Sequence, residues 1–285
     1  NGHRTRAKVL VAVQGCELVF HVAAKAGIWG KYDDYHRANV VGTGHVVESC
    51  RKFGIRKLVH TSSPSVVFHG KDIEGADESL PYASHFDAPY PKTKMIAEKL
   101  VLDANDNRLA TVALRPHLIW GPGDHHLVPR IIARAKRLRR IGRTNKLVDS
   151  VYIDNAADAH VCAAERIDIG STVAGRAYFI TNGEPRPIWD LVGGILAAAN
   201  LPPVTKNVSS GMARLIASVC ETVYQTFAIR REPPLTCFLV KELSTSHWFD
   251  IGAARRDLGY EPGVSIEQGL SQLRDWLALN SATKK

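Results

Sequence analysis

No run in this 285-residue sequence approaches the ~18 or more uncharged apolar residues of a membrane-spanning helix. The amino terminus carries Arg4, Arg6 and Lys8 where a secretory signal would have its apolar core, so export is not expected. Cysteine is sparse. Cys16, Cys50, Cys162, Cys220 and Cys237 are odd in number and widely separated, with neither CxxC nor His-paired spacing. That argues against a disulfide framework and against a zinc site, and fits reduced thiols in a cytosol; no metal is expected. The formal charge of +9 is concentrated in Arg130, Arg134, Lys136, Arg137, Arg139, Arg140, Arg143 and Lys146, with no acidic residue between them. No aromatic side chain interrupts the run to stack on bases, so no nucleic-acid partner is expected. A solvated helix face followed by a basic loop is the plain reading; anion binding, to a cofactor phosphate or an acidic substrate, is the alternative.

Short apolar runs at residues 18–24, 58–61 and 110–114 alternate with helical patterns at 35–53 and 89–104. Val- and Leu-rich strands without polar alternation are expected to be buried on both faces. The rhythm predicts an α/β fold, a Rossmann-like doubly wound parallel sheet. Asp34 before the first helix, Gly54 after it and Asp154 ahead of residues 156–166 supply start and stop signals. Beyond Pro122 the pattern loosens into helical stretches near 127–138, 189–199, 212–227 and 266–279, joined by Pro-rich links at 201–203 and 232–234. Residues 1–122 are therefore expected to form the nucleotide-binding core, with 148–182 returning to it, and 123–285 mainly a smaller C-terminal substrate-binding lobe. Ligands of such sheets bind beyond the carboxyl ends of the strands, where the lobe would cover them. Residues 212–229 are apolar around much of a helix but carry Arg214 and Glu221. An ordinary packed helix, a lid over a greasy substrate and an interfacial helix touching the membrane remain open.

Chemistry enters with Tyr90-Pro91-Lys92-Thr93-Lys94, which on a helix puts the phenol and the ammonium on one face. For a tyrosine to exchange protons near neutral pH, its pKa must fall from about 10 by about 3 units, roughly 4 kcal/mol. An ammonium at ~4 Å gives about 1 kcal/mol in water but about 4 at an effective dielectric of ~20. Lys94 can act this way only where cofactor and lid exclude water. Thr61, Ser62 and Ser63 end a strand-like run ahead of that helix, and Ser63, or else Ser62, is placed to hydrogen-bond a reacting carbonyl. Turn chemistry before Pro64 is the plain alternative. His21, His60 and the pair His125 and His126 have no partner at metal-ligand spacing and are read as structural.

The ordered series Val19-Phe20-His21-Val22-Ala23-Ala24, Asn39-Val40-Val41-Gly42-Thr43, Thr61-Ser62-Ser63, Tyr90 through Lys94, Leu114-Arg115-Pro116, Trp120-Gly121-Pro122-Gly123 and Val151-Tyr152-Ile153-Asp154 with the residues to His160 resembles the extended short-chain dehydrogenases of the 3β-hydroxysteroid dehydrogenase type. The stretches 23–30, 178–185 and 232–248 resemble more narrowly the bacterial 2-alkyl-3-oxoalkanoate reductases of long-chain olefin biosynthesis.

The resemblance implies an NADP(H)-dependent enzyme, with NAD as the alternative. Tyr90 would protonate the substrate oxygen, Lys94 hold the nicotinamide ribose and Ser63 polarise the carbonyl. Asn39 would support Lys94 through its backbone and a water. Ala23 and Ala24 would line the adenosine side of the cofactor, and Lys25, Thr61 and Ser62 would also bind it. Pro116 and its neighbours, Leu118 among them, would pack near the nicotinamide, where the backbone can meet the carboxamide. The implied substrate is a long-chain 2-alkyl-3-oxo acid, reduced to the 3-hydroxy acid. A homodimer, assembly with other enzymes of the pathway and a cytoplasmic location, with contact at the inner membrane, follow as expectations. Two rival functions are a 3β-hydroxysteroid or sterol-4-carboxylate dehydrogenase and a non-catalytic, dehydrogenase-derived binding or assembly protein. The last draws on one departure: no glycine-rich turn is present, and Gly42-Thr43-Gly44 falls within a helix pattern. Asn1-Gly2-His3-Arg4 resembles the turn into the family's second strand, which suggests that the N-terminal part of the Rossmann unit is missing from the chain.

Overall fold

The computed structural model describes residues 2–142, 146–229 and 231–282; Asn1 and Arg143, named above, lie outside them. Four strands form the central sheet in the order Leu18–His21, Lys57–Thr61, Ala110–Pro116 and Arg176–Ile180. Every neighbouring pair is parallel, with Leu18 opposite Lys57, Lys57 opposite Ala110 and Val112 opposite Arg176. All seven residues of Ala110–Pro116 are buried, as expected of a strand covered on both faces. Leu18–His21 departs from that expectation. It is an edge strand among the described residues, and Phe20 is 44% exposed.

Most helices follow the predicted pattern with shifted ends, but Gly2–Val13 is a helix where the sequence resembles a turn into a strand, and Cys237–Ser244 is a helix outside that pattern. A turn at Tyr32–Tyr35 runs into a π-helical segment, His36–Val41, and then into Gly42–Phe53. Gly54 closes it in the left-handed conformation at φ 68°, as its lack of a side chain allows. The two predicted caps are misplaced. Asp34 and Asp154 lie inside the first turns of their helices, after Lys31 and Tyr152. There a carboxylate favours the helix through the backbone dipole rather than by capping.

Three of the apolar clusters organise the molecule. The one around the sheet joins Val59, Val112, Leu114, Phe179 and Ile180 to Phe249, Ile251, Leu258 and Tyr260. The Phe179 and Phe249 rings stack at 4.2 Å. Residues well past 182 therefore also pack on the sheet, because His247–Phe249 pairs with Ile73–Ala76 and presses Phe249 against it. A second cluster gathers Trp120, Tyr152, Trp189, Ile195, Ile266 and Leu273 between the helices Leu127–Arg134, Ile188–Ala198 and Ile266–Ala282. In a third, Ser210–Thr226 packs on Cys237–Ser244 through Ala213 and Ala217. Its other face exposes Met212, Leu215, Ile216, Val219 and Val223, with Phe227 just beyond. The plain packed-helix expectation thus holds on one face only. No helix among the described residues is long and apolar enough to cross a membrane.

Candidate active site

The helix Pro89–Asp103 begins on a proline, whose missing N–H costs nothing in a first turn. Tyr90, Lys94 and Glu98 then recur one turn apart along it, beside the carboxyl ends of the central strands. Lys94 is 2% exposed, and its Nζ donates to the Thr61 carbonyl at 2.5 Å. Burial lowers this ammonium to about 8, with the Glu98 carboxylate opposing the fall. Glu98 is buried too and takes two hydrogen bonds from Arg115 Nε, at 3.2 and 3.1 Å, and one from Nη2 at 2.6 Å. It also accepts the Tyr82 hydroxyl at 2.7 Å. The helix is thereby bolted to the strand that ends at Pro116.

Tyr90 is partly buried, and that burial raises its pKa to about 12. A hydrogen bond with the Ser63 side chain opposes the rise and the Glu242 carboxyl adds to it. From its spacing Lys94 is expected to pull the phenol down once cofactor and lid exclude water; here the ammonium is held by the Thr61 carbonyl, and the phenol moves up. Ser63 serves both of its alternatives, since its Oγ also meets Ser65 Oγ at 2.9 Å and accepts the Ser65 N–H at 3.2 Å in the turn. Ser62 is buried, donates its N–H to Leu114 O at 2.5 Å, and its Oγ has no partner. Thr61 Oγ1 lies 2.7 Å from His160 Nε2. His160 Nδ1, 2.7 Å from the Ala156 carbonyl, must carry the ring proton, so the Thr61 hydroxyl donates.

Asn39 sits in the π-helical segment, a distortion that often marks functional positions. Its Oδ1 accepts the Lys25 N–H at 2.7 Å, while Nδ2 faces Lys25 O at 3.1 Å and Thr93 Oγ1 at 3.0 Å. It thus ties the loop after the first strand to the residue next to Lys94, and does not itself contact Lys94. Ala23, Ala24 and the Lys25 side chain are exposed on that loop. Pro116 is buried at a strand end, and Leu118, two residues on, is held at φ 45°, a strained conformation for leucine.

The orphaned Ser62 hydroxyl and the buried Lys94 ammonium at the strand ends fit the nicotinamide and its ribose, and the exposed Ala23-to-Lys25 loop leaves room for the adenosine side of a dinucleotide. His21 and His60 behave as structural. Their rings lie 5.1 Å apart, His21 meets Thr43 Oγ1 at 2.8 Å, and burial lowers both.

Several groups escaped sequence reasoning. A cavity of about 260 Å3 lies between the sheet side and the helical cluster, with Leu118, Arg130, Arg134, Glu242 and His247 on its wall among apolar side chains. A larger hollow of about 590 Å3 beside Arg176 and Asp257 holds none of the predicted site residues. Burial raises the Glu242 carboxyl to about 7. Its only signal in sequence is an acid, beside Lys241, in the mostly apolar stretch 237–243. His247 Nδ1 is 3.1 Å from His117 Nε2, and the outer nitrogens of the pair face the Glu242 and Asp149 carbonyls at 2.8 and 2.6 Å. The basic run divides: Lys136, Arg137 and Arg140 are exposed as expected, whereas Arg130 and Arg134 converge on Glu232.

Residues 4–206 match the family described as 3-beta hydroxysteroid dehydrogenase/isomerase. A 2-alkyl-3-oxoalkanoate reductase of Stenotrophomonas maltophilia is 53% identical over 271 residues, 93% of this chain and 82% of that protein. A decarboxylating sterol-4-alpha-carboxylate 3-dehydrogenase of Mus musculus is 34% identical, over 92% of this chain and 74% of its own. Among solved structures, UDP-glucuronic acid 4-epimerase of Bacillus cereus with NAD superposes with a TM-score of 0.69 at 23% identity, covering 95% of this chain and 78% of that one. That likeness carries the Rossmann-like parallel sheet.

Proposed function

Because the chain belongs to the 3-beta hydroxysteroid dehydrogenase/isomerase family, we propose that it is the oxidoreductase that converts 2-alkyl-3-oxoalkanoic acids to 2-alkyl-3-hydroxyalkanoic acids with NADPH. The observation that carries this reading is Tyr90 and Lys94 on one helical face, at the carboxyl ends of parallel strands and close to a largely apolar cavity. When bound, the nicotinamide supplies the hydride that reaches C3 of the substrate. Tyr90 Oη delivers the proton to the C3 oxygen, and Ser63 Oγ holds that oxygen in place. The Lys94 ammonium would hold the nicotinamide ribose and, if drawn toward the phenol, would lower the Tyr90 pKa. Thr61 and Ser62 line the nicotinamide side, Pro116 and Leu118 offer backbone to the carboxamide, and Ala23, Ala24 and Lys25 face the adenosine. Asn39 positions the Lys25 loop.

Residues 123–285 mainly supply the substrate lobe in this reading, whose apolar walls suit alkyl chains. The preference for NADP over NAD, a place in long-chain olefin formation, a homodimer and a cytoplasmic site with membrane contact rest on the resemblance. The test is NADPH consumption with a racemic 2-alkyl-3-oxo acid. Tyr90→Phe is expected to lower turnover by roughly 10²–10⁴-fold, with NADPH affinity from tryptophan fluorescence unchanged. Near-full turnover by that variant would overturn the mechanism, and turnover of a 3-hydroxysteroid with NAD alone would favour the steroid reading.

A further inference from the structure

Arg130 and Arg134 project from one side of the helix Leu127–Arg134, one turn apart, toward a single carboxylate, that of Glu232. Arg130 Nη2 is in close contact with Glu232 Oε1, and Arg134 Nη2 is 3.2 Å from the same oxygen. Two guanidinium groups on one carboxylate leave a surplus positive charge. Both arginines line the 260 Å3 cavity, whose wall is otherwise largely apolar and includes Leu118 and Glu242. Both arginine side chains are partly exposed, at 38% and 31%, so their charge is solvated on one side and open on the other to an anion entering the cavity. Glu232 is placed as a substitute for that anion, on the segment between the helices Ser210–Thr226 and Cys237–Ser244 rather than within either.

Glu242 lines the same cavity as Arg130 and Arg134. The Glu242 carboxyl is felt by Tyr90 on one side and feels Arg130 on the other. A 3-oxo acid whose C3 oxygen meets Tyr90 carries its carboxylate on the adjoining carbon, and Arg130 and Arg134 are the guanidinium groups on the wall of this cavity. The two relatives above, named for a 3-oxoalkanoate and a sterol-4-carboxylate, share that chemistry: a carboxylate on the carbon next to the reacting C3.

We propose that Arg130 is the anchor for the substrate's carboxylate, with Arg134 in support, and that Glu232 occupies its guanidinium until the substrate displaces it. The proposal rests on the reductase reading and names the group that makes the enzyme specific for acids. Oxygens of a bidentate carboxylate match the guanidinium fork better than a single shared Glu232 oxygen does.

The test runs in the oxidative direction, where the substrate is chemically stable. A 2-alkyl-3-hydroxy acid is compared with the matching secondary alcohol that lacks the carboxyl group, using NADP. Hydride leaves C3 for the nicotinamide and the hydroxyl proton goes to Tyr90 and then to solvent, in both cases. The parent protein is expected to prefer the acid, and in Arg130→Gln the ratio of kcat/KM for acid over alcohol falls roughly ten- to a hundredfold, as for loss of a charged hydrogen bond. Glu232→Gln is expected to lower the KM for the acid. Should Arg130→Gln not fold, Arg130→Lys is read in the same way, with a smaller fall because the fork is lost. A parent that prefers the acid while the variants leave the ratio unchanged overturns the anchor alone. So does a rise in the KM for NADP without a change in the ratio, which would assign Arg130 to a cofactor phosphate. Oxidation of neither compound by the parent overturns the reductase reading together with the anchor.

Discussion

Glu242 is the residue whose protonation state the site feels most directly. Its folded value of about 7 stands above the ordinary 4.5. Between those values the folded protein keeps a proton that the unfolded chain has released. The stability tied to it is full below about 4.5 and is lost as the pH rises through about 7. Glu242→Gln is therefore expected to raise Tm at pH 8 relative to the parent and to leave a smaller difference at pH 4.5, as thermal melts at both pH values will show. An unchanged difference between the two pH values would mean that Glu242 is not held protonated. At this scale the sequence is partly legible: the spacing of Tyr90 and Lys94 places both on one face without any structure. What the ammonium bonds to is not, because Thr61 O is a backbone atom that no side-chain pattern reports.

The helix Pro89–Asp103 is positioned by the pair Glu98–Arg115, with side-chain exposures of 0% and 4%. Removing one member of such a pair leaves a buried charge alone, at a cost of about 3–5 kcal/mol. Glu98→Ala is expected to destabilise by that amount in denaturant unfolding, and Glu98→Leu combined with Arg115→Met by less. A double variant weaker than the single would show that the pair adds more than mutual neutralisation. Most helices at this scale are readable to within a few residues, since their apolar period survives any uncertainty at the ends, whereas Gly2–Val13 and Cys237–Ser244 are not. The acids Asp34 and Asp154 misled because a first-turn carboxylate and a capping carboxylate look alike in sequence. The π-helical segment around Asn39 left no trace either, since lengthening the hydrogen-bond ladder by one residue hardly disturbs the apolar period.

For the whole molecule, the alternation of strand and helix sufficed to foresee a parallel sheet, while the return of Phe249, Ile251 and Tyr260 to it was not foreseen. Apolar residues announce that they will be buried but not against what. The same is true of Ser210–Thr226, whose composition suits a buried helix while its outer face stands open. The parallel central sheet has a further consequence, in time rather than in space. Each of its strands must find a neighbour across an intervening helix or loop, and no tight turn brings any pair together early. Chains dominated by such distant pairings reach the native state slowly and through intermediates that expose sticky surface. Dilution from denaturant is expected to give refolding over seconds or longer with a flattened folding arm at low denaturant, followed by stopped-flow fluorescence. A single sub-millisecond phase would contradict it, and a newly made chain is expected to depend on chaperones while those distant partners meet.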